Sequence, residues 1–142
     1  MDFVGQSTIA ILVAAFVGFV IGGIWYGILG NTWMKAASID PADMVDENGK
    51  KKMPVVPMVL AALANLVLAI TLSGLMGHMV VDVRHGLITA AFIALGFILP
   101  TLLVNYSFQG RPFSLTLIDT GHWLLVLLVM GAIIGYIGVE TQ

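Results

Sequence analysis

Hydrophobic and polar positions are arranged along this chain in long blocks. Four apolar runs cover roughly residues 6–29, 55–77, 86–107 and 114–138, and polar residues concentrate between them. A helix that crosses a bilayer needs about 20 mostly apolar residues, so each run is long enough to span a membrane. The runs are continuous and do not alternate in polarity, which argues against a membrane β-barrel. The pattern therefore predicts an all-α fold, an integral membrane four-helix bundle.

The polar interval between the first two runs, residues 31–54, is the longest in the chain. It is too short to bury a hydrophobic core of its own, so residues 1–142 are expected to form a single transmembrane domain with 31–54 as a cytoplasmic loop. The composition agrees, with 59% hydrophobic residues, 10% charged residues and a mean hydropathy of +1.02. Soluble domains have about 25% charged residues.

Charge and cysteine content reduce the number of possible functions. The net charge is -2 and no basic stripe is present, so membrane lipids are expected partners and nucleic acid is not. The absence of cysteine excludes disulfides and thiolate catalysis. We expect no cofactor and no metal, and we do not expect an enzyme.

The distribution of Lys and Arg predicts the orientation of the helices. Five of these residues lie in the first and third connections (Lys35, Lys50, Lys51, Lys52 and Arg111), whereas Arg84 alone lies in the second. Connections rich in Lys and Arg usually stay in the cytoplasm. Both termini are therefore expected outside, in a multi-pass protein of the bacterial inner membrane.

Small residues recur at four-residue spacing in the first and last runs. Helices in lipid associate through close packing over such GxxxG-like faces and through hydrogen bonds between helices. The predicted packing positions are Gly18, Gly22, Gly23, Gly27, Gly131 and Gly135. They are expected to pack the bundle, and they also leave room for a homo-oligomer.

Asp119 and His122 are the only ionisable side chains well inside an apolar run. Because residues three apart share a helix face, we expect them to form one hydrogen-bonded unit that faces the bundle interior. The expected polar pocket opens to the cytoplasm and comprises Asn65, Asn105, Tyr106, Asp119, His122 and Trp123. Two interpretations stay open, a structural lock between helices and a functional site.

Three segments carry a resemblance to a known family. They are WYGILGNTWMK at the end of the first run, LLVNYSFQGRP at the end of the third, and DTGHWLLVLLVMGAIIG in the fourth. Over nearly its whole length the chain resembles an uncharacterised family of small bacterial four-helix membrane proteins, a domain of unknown function. The resemblance implies a four-helix membrane domain and transfers no activity or catalytic residue.

Two functional hypotheses follow from these features. The first is a non-enzymatic module that assembles with itself or serves as a small accessory subunit of a membrane complex, because small-residue faces abound and chemical groups are scarce. The second is a small oligomeric transporter or channel that uses the polar pocket around Asn65, Asn105, Asp119 and His122.

Overall fold

Four long helices make up the fold in the computed structural model, which describes residues 7–140 and side chains as far as residue 138. They are α1 (Thr8–Ala36), α2 (Val55–Gly77), α3 (Val83–Phe108) and α4 (Phe113–Glu140). Each is long and apolar enough to cross a membrane, and residues 7–140 contain no β-strand beyond one isolated bridge between Val45 and Lys51. The predicted all-α four-helix membrane bundle is confirmed.

The last helix, α4, is the centre of the bundle. It packs most extensively against α1 and α3 and also contacts α2. In its most apolar stretch 44% of the residues are buried, compared with 22% in α1, 17% in α2 and 11% in α3. The other three helices therefore keep most of their surface free of contacts within the chain, as expected of helices that face lipid or other proteins.

A close backbone contact joins α3 to α4 at a pair of glycines. A β-carbon on Gly86 would clash with the carbonyl of Gly131, and one on Gly131 would clash with the carbonyl of Gly86. Gly135 meets the backbone of Asp82 in the same way. Only residues without a side chain allow the two backbones to approach so closely.

The glycines predicted to pack the bundle divide into two groups. Gly18 and Gly22 lie against side chains of other helices, and Gly131 and Gly135 lie against the backbone of α3. A β-carbon built on Gly23 or Gly27 would meet nothing within 4 Å, so neither glycine packs against another helix of this chain. The reason is rotation along α1: Gly23 lies ~100° around the helix from Gly22, away from α4.

Two local features differ from a simple apolar run. α1 continues past residue 29, where the apolar run ends, to Ala36. The length of an apolar run sets how much of a helix lies in the membrane, and the helix itself can extend into water. α3 contains a π-helical turn at Ala94–Ile98, just before Pro100. Proline cannot donate the regular helical hydrogen bond and its ring crowds the preceding turn, and a π-turn at this point accommodates that defect.

Candidate functional site

The buried polar residues of α4 lie in its first three turns, near the end of the bundle that carries the loops 37–54 and 109–112. Thr116, Asp119, Thr120 and His122 are all buried there. Asp119 is 7% exposed and His122 is 5% exposed, so both side chains face the bundle interior as the sequence predicted. α4 can bury them because α1 and α3 flank it on two sides.

The carboxylate of Asp119 is held by two tyrosines from different helices. Tyr26 of α1 donates its hydroxyl to Oδ1 at 2.6 Å, and Tyr106 of α3 donates its hydroxyl to Oδ2 at 2.6 Å. Hydrogen bonds of this length to a carboxylate are among the stronger ones in proteins. Asp119 therefore joins α1, α3 and α4, and we call these three residues the tyrosine clamp.

The predicted hydrogen bond between Asp119 and His122 is wrong. Both ring nitrogens of His122 are buried and have no hydrogen-bond partner. The two phenols occupy the carboxylate oxygens from the neighbouring helices. The spacing of three residues put both side chains on the buried side of α4, but it did not determine which groups meet there.

Aromatic rings surround His122. The ring of Trp123 lies 4.5 Å away in an edge-on arrangement, and the rings of Tyr26 and Trp25 lie at 4.9 and 6.5 Å, all between ring centroids. Trp25 fits because Gly121 has no side chain, since a β-carbon there would lie 3.0 Å from the indole. The indole nitrogen of Trp25 is likewise buried without a partner.

Asn65 of α2 lies deeper in the bundle. It is 3% exposed, its amide nitrogen donates to the carbonyl of Ala61 at 2.8 Å, and its side-chain oxygen has no partner. A β-carbon on Gly18 would lie 2.5 Å from that oxygen. The predicted inward orientation of Asn65 is therefore confirmed.

These three polar groups are in register with successive turns of α1. Asp119 bonds to Tyr26, the Nε2 atom of His122 lies 3.1 Å from a β-carbon built on Gly22, and the oxygen of Asn65 faces Gly18. Residues 18, 22 and 26 are four apart, which corresponds to about 6 Å along the helix for each step and about 12 Å in all. We call Asp119, His122 and Asn65 the polar column.

The structure does not bring Asn105 into this group. Asn105 is exposed, whereas Tyr106 is half-buried and bonded to Asp119. Adjacent residues of a helix point ~100° apart, so when Tyr106 turns toward α4 its neighbour turns away. The prediction that Asn105 lines the polar pocket is therefore wrong. Tyr106 and Trp123 do lie beside Asp119 and His122.

Sequence reasoning underestimated Tyr26 and missed Gly121 and Thr120. Tyr26 was not among the predicted pocket residues, although its place in line with Gly18 and Gly22 at four-residue spacing was a usable signal. Thr120 is buried with an unpartnered hydroxyl. Within residues 7–140 no three His, Cys, Asp or Glu side chains come together as metal ligands would.

Comparison with known proteins adds a family and no activity. No curated protein and no solved structure matches the chain. A family model described as "Protein of unknown function (DUF1761)" matches residues 9–135, which include α2, α3, most of α1 and α4, the tyrosine clamp and the polar column. Because the match covers most of the sequence, the chain belongs to the DUF1761 family, as the resemblance of its helix ends to a domain of unknown function predicted.

Proposed function

We propose that this integral membrane protein is a non-enzymatic transport module in which His122 binds a proton. The observation that carries the proposal is the pair of unpartnered nitrogens on His122, a residue only 5% exposed. Buried polar atoms are nearly always hydrogen-bonded, and a purely structural residue would be expected to satisfy them. Intramembrane ionisable residues are costly and are functional candidates for that reason.

The structural and the functional interpretations of the Asp119 and His122 pair apply to different residues. Asp119 uses both carboxylate oxygens to join three helices, which is the work of a lock. His122 joins nothing by hydrogen bonds, so its ring is free to exchange a proton. The tyrosine clamp then serves to hold the first turns of α4 in place around the histidine.

The aromatic groups around His122 come from its own helix and from α1. Among titratable groups, Asp119 lies one turn earlier on the same helix, and the ring of Tyr26 on α1 lies 4.9 Å from the imidazole. α2 contributes none, because Val55–Gly77 contains no titratable residue. Burial disfavours an imidazolium ion in general, whereas a nearby carboxylate and aromatic faces within about 6 Å favour it.

The polar column supports a route for the proton from one end of the bundle. Tyr26 and Tyr106 are partly exposed at the loop end, and His122 and Asn65 follow at successive turns of α1. Beyond Asn65 the buried core is mainly apolar, with Leu72 and Met76, and it contains Ser73 as a further polar side chain. A polar column that reaches one end of the bundle is consistent with a single state in an alternating-access cycle.

We propose further that the module works as an oligomer in a bacterial inner membrane, with the loop end in the cytoplasm. α1, α2 and α3 keep most of their surface available for other copies. The orientation rests on the five-to-one count of Lys and Arg.

Proton flux into vesicles tests the proposal. The purified protein is reconstituted into liposomes that contain a pH-sensitive dye, and a pH gradient and a potassium diffusion potential are imposed. Wild-type protein should acidify the lumen faster than empty liposomes do. His122→Gln, which keeps a polar side chain but cannot carry a proton at these pH values, should reduce the rate to that of empty liposomes.

His78 supplies the matched control, because it is also a histidine but lies at the opposite end of the bundle, immediately after α2. His78→Gln should leave the flux unchanged. Equal flux in wild-type and His122→Gln vesicles would overturn the role of His122, and no flux above empty liposomes would overturn proton transport altogether.

The accessory-subunit function stays a prediction. The open positions Gly23 and Gly27 have no neighbour within one chain, and nothing at that face indicates a partner. A protein that copurifies in constant ratio from mild detergent would favour that function.

A further inference from the structure

A shallow apolar groove lies between α1 and the beginning of α2. Its lining residues are Phe19, Met53, Val55, Met58, Val59 and Ala62. The groove has a free volume of ≈ 300 Å³, is open to the side, and exposes almost no polar surface. It lies apart from the polar column, so an inference about it does not depend on proton binding at His122.

Three consecutive lysines lie directly before this groove in the chain. Lys50, Lys51 and Lys52 precede Met53, which is part of the lining, and all three lysines are exposed. The backbone of Lys51 forms a β-bridge with Val45, and Lys52 donates its backbone N–H to the carbonyl of Met44 at 2.8 Å. The basic segment is therefore held in a defined position next to the first turn of α2.

The acidic residues of the same loop lie farther from α2 along the chain than the lysines do. All four lie before the turn at Gly49, on the side of the loop that leads away from α2 (Asp40, Asp43, Asp46 and Glu47). Asp46 is also engaged in the turn, where its carboxylate accepts hydrogen bonds from the backbone N–H groups of Asn48 and Lys50 at 2.9 Å. The lysines are the charged residues nearest to the groove in the sequence.

We propose that the groove binds one acyl chain of an anionic phospholipid, with its phosphate held by Lys50, Lys51 and Lys52. A hydrocarbon chain fits an apolar lining that opens sideways toward the bilayer, whereas a polar ligand would lose its hydrogen bonds there. Clusters of Lys next to a membrane helix attract anionic headgroups. The lysines directly precede the apolar lining residues of α2 in the chain, so the headgroup of a lipid would lie at the lysines while its acyl chain lies in the groove.

A second copy of the chain is a less suitable occupant. If every copy has the orientation proposed from the Lys and Arg count, α2 of a second copy lying in this groove would bring its own three lysines to the same level. Like charges brought together destabilise an interface. A phospholipid phosphate at that level would instead be attracted.

Native mass spectrometry of the purified full chain tests the proposal. The probes are palmitoyl-oleoyl phosphatidylglycerol, which is anionic, and the phosphatidylcholine with the same tails, which has no net charge. Wild-type protein should retain one phosphatidylglycerol per chain in preference to phosphatidylcholine. Replacing all three lysines by Gln should reduce this preference by about fivefold for each lysine removed.

The second part of the experiment fills the groove with a larger side chain. Val59→Trp should abolish retention of both lipids, and Val67→Trp is the matched control because Val67 is similarly exposed on α2 but does not line the groove. If Val59→Trp loses helical content by circular dichroism, Ala62→Leu replaces it. Equal retention of the two lipids by wild-type protein would overturn the proposal. Loss of a dimer in Val59→Trp with lipid retention unchanged would overturn it in favour of a second copy.

Discussion

The tyrosine clamp is the most direct target for mutation, because two single-atom deletions remove it. Tyr26→Phe and Tyr106→Phe each delete one hydroxyl that donates to Asp119 at 2.6 Å, and each leaves the aromatic ring in place. The double variant leaves a carboxylate that is 7% exposed with neither of its two donors. The three variants and the wild-type protein form a double-mutant cycle.

The expected loss of stability follows from the geometry. Hydrogen bonds between membrane helices contribute about 0.6 kcal/mol on average and about 1.7 at most, whereas bonds to charged groups contribute about 1.5 to 3 kcal/mol. These bonds are short, buried and directed at a carboxylate, so each single variant should lose about 1.5 kcal/mol. The double variant should lose more than the sum, about 4 kcal/mol or more, because it leaves a buried carboxylate unpartnered.

The assay is unfolding in mixed micelles of a mild detergent and dodecyl sulfate, followed by far-ultraviolet circular dichroism. Tyr136→Phe is the control, since Tyr136 is on the same helix as Asp119 but is 63% exposed at the opposite end. A double variant within about 0.5 kcal/mol of wild type would refute the clamp. A strictly additive double variant would show that the two phenols do not share one carboxylate.

Three further predictions concern packing, orientation and pH. Gly131→Leu should cost about 3 kcal/mol or more, because its side chain would clash with the backbone at Gly86, whereas Gly27→Leu should unfold like wild type; equal stability of both would contradict the packing. Reporter fusions at the C-terminus should report the outside and those in the loop after α1 the cytoplasm, and the reverse pattern would invert the proposed orientation. The pKa of Asp82 is lowered, first by the backbone N–H of His85 and then by the His85 side chain. The ionised Asp82 carboxylate therefore stabilises the fold fully above the ordinary carboxyl pKa, and this stabilisation is lost as pH falls through the lowered pKa. Melting curves of wild-type protein should show that loss of stability, and melting curves of Asp82→Ala should not.

The number and kind of helices could be predicted from the sequence because they depend on local composition. A run of about 20 apolar residues has few alternatives to a helix in lipid, since every backbone polar group must be satisfied within the segment. The burial of Asp119, His122 and Asn65 was predictable on the same principle, because the bilayer penalises polar groups that face lipid. Family membership was likewise visible in the helix-end segments.

The tertiary structure decided which of these residues meet. Asp119 and His122 share a face of α4, yet the approach of α1 and α3 assigns the carboxylate to Tyr26 and Tyr106 and leaves the histidine without a hydrogen bond. Likewise, rotation of α3 selects Tyr106 over Asn105. Periodicity within one helix specifies a face, but hydrogen bonds between helices depend on the rotation and register of separate helices. That relative placement follows from packing of the whole bundle, such as the close contact of Gly86 with Gly131, and no single segment encodes it.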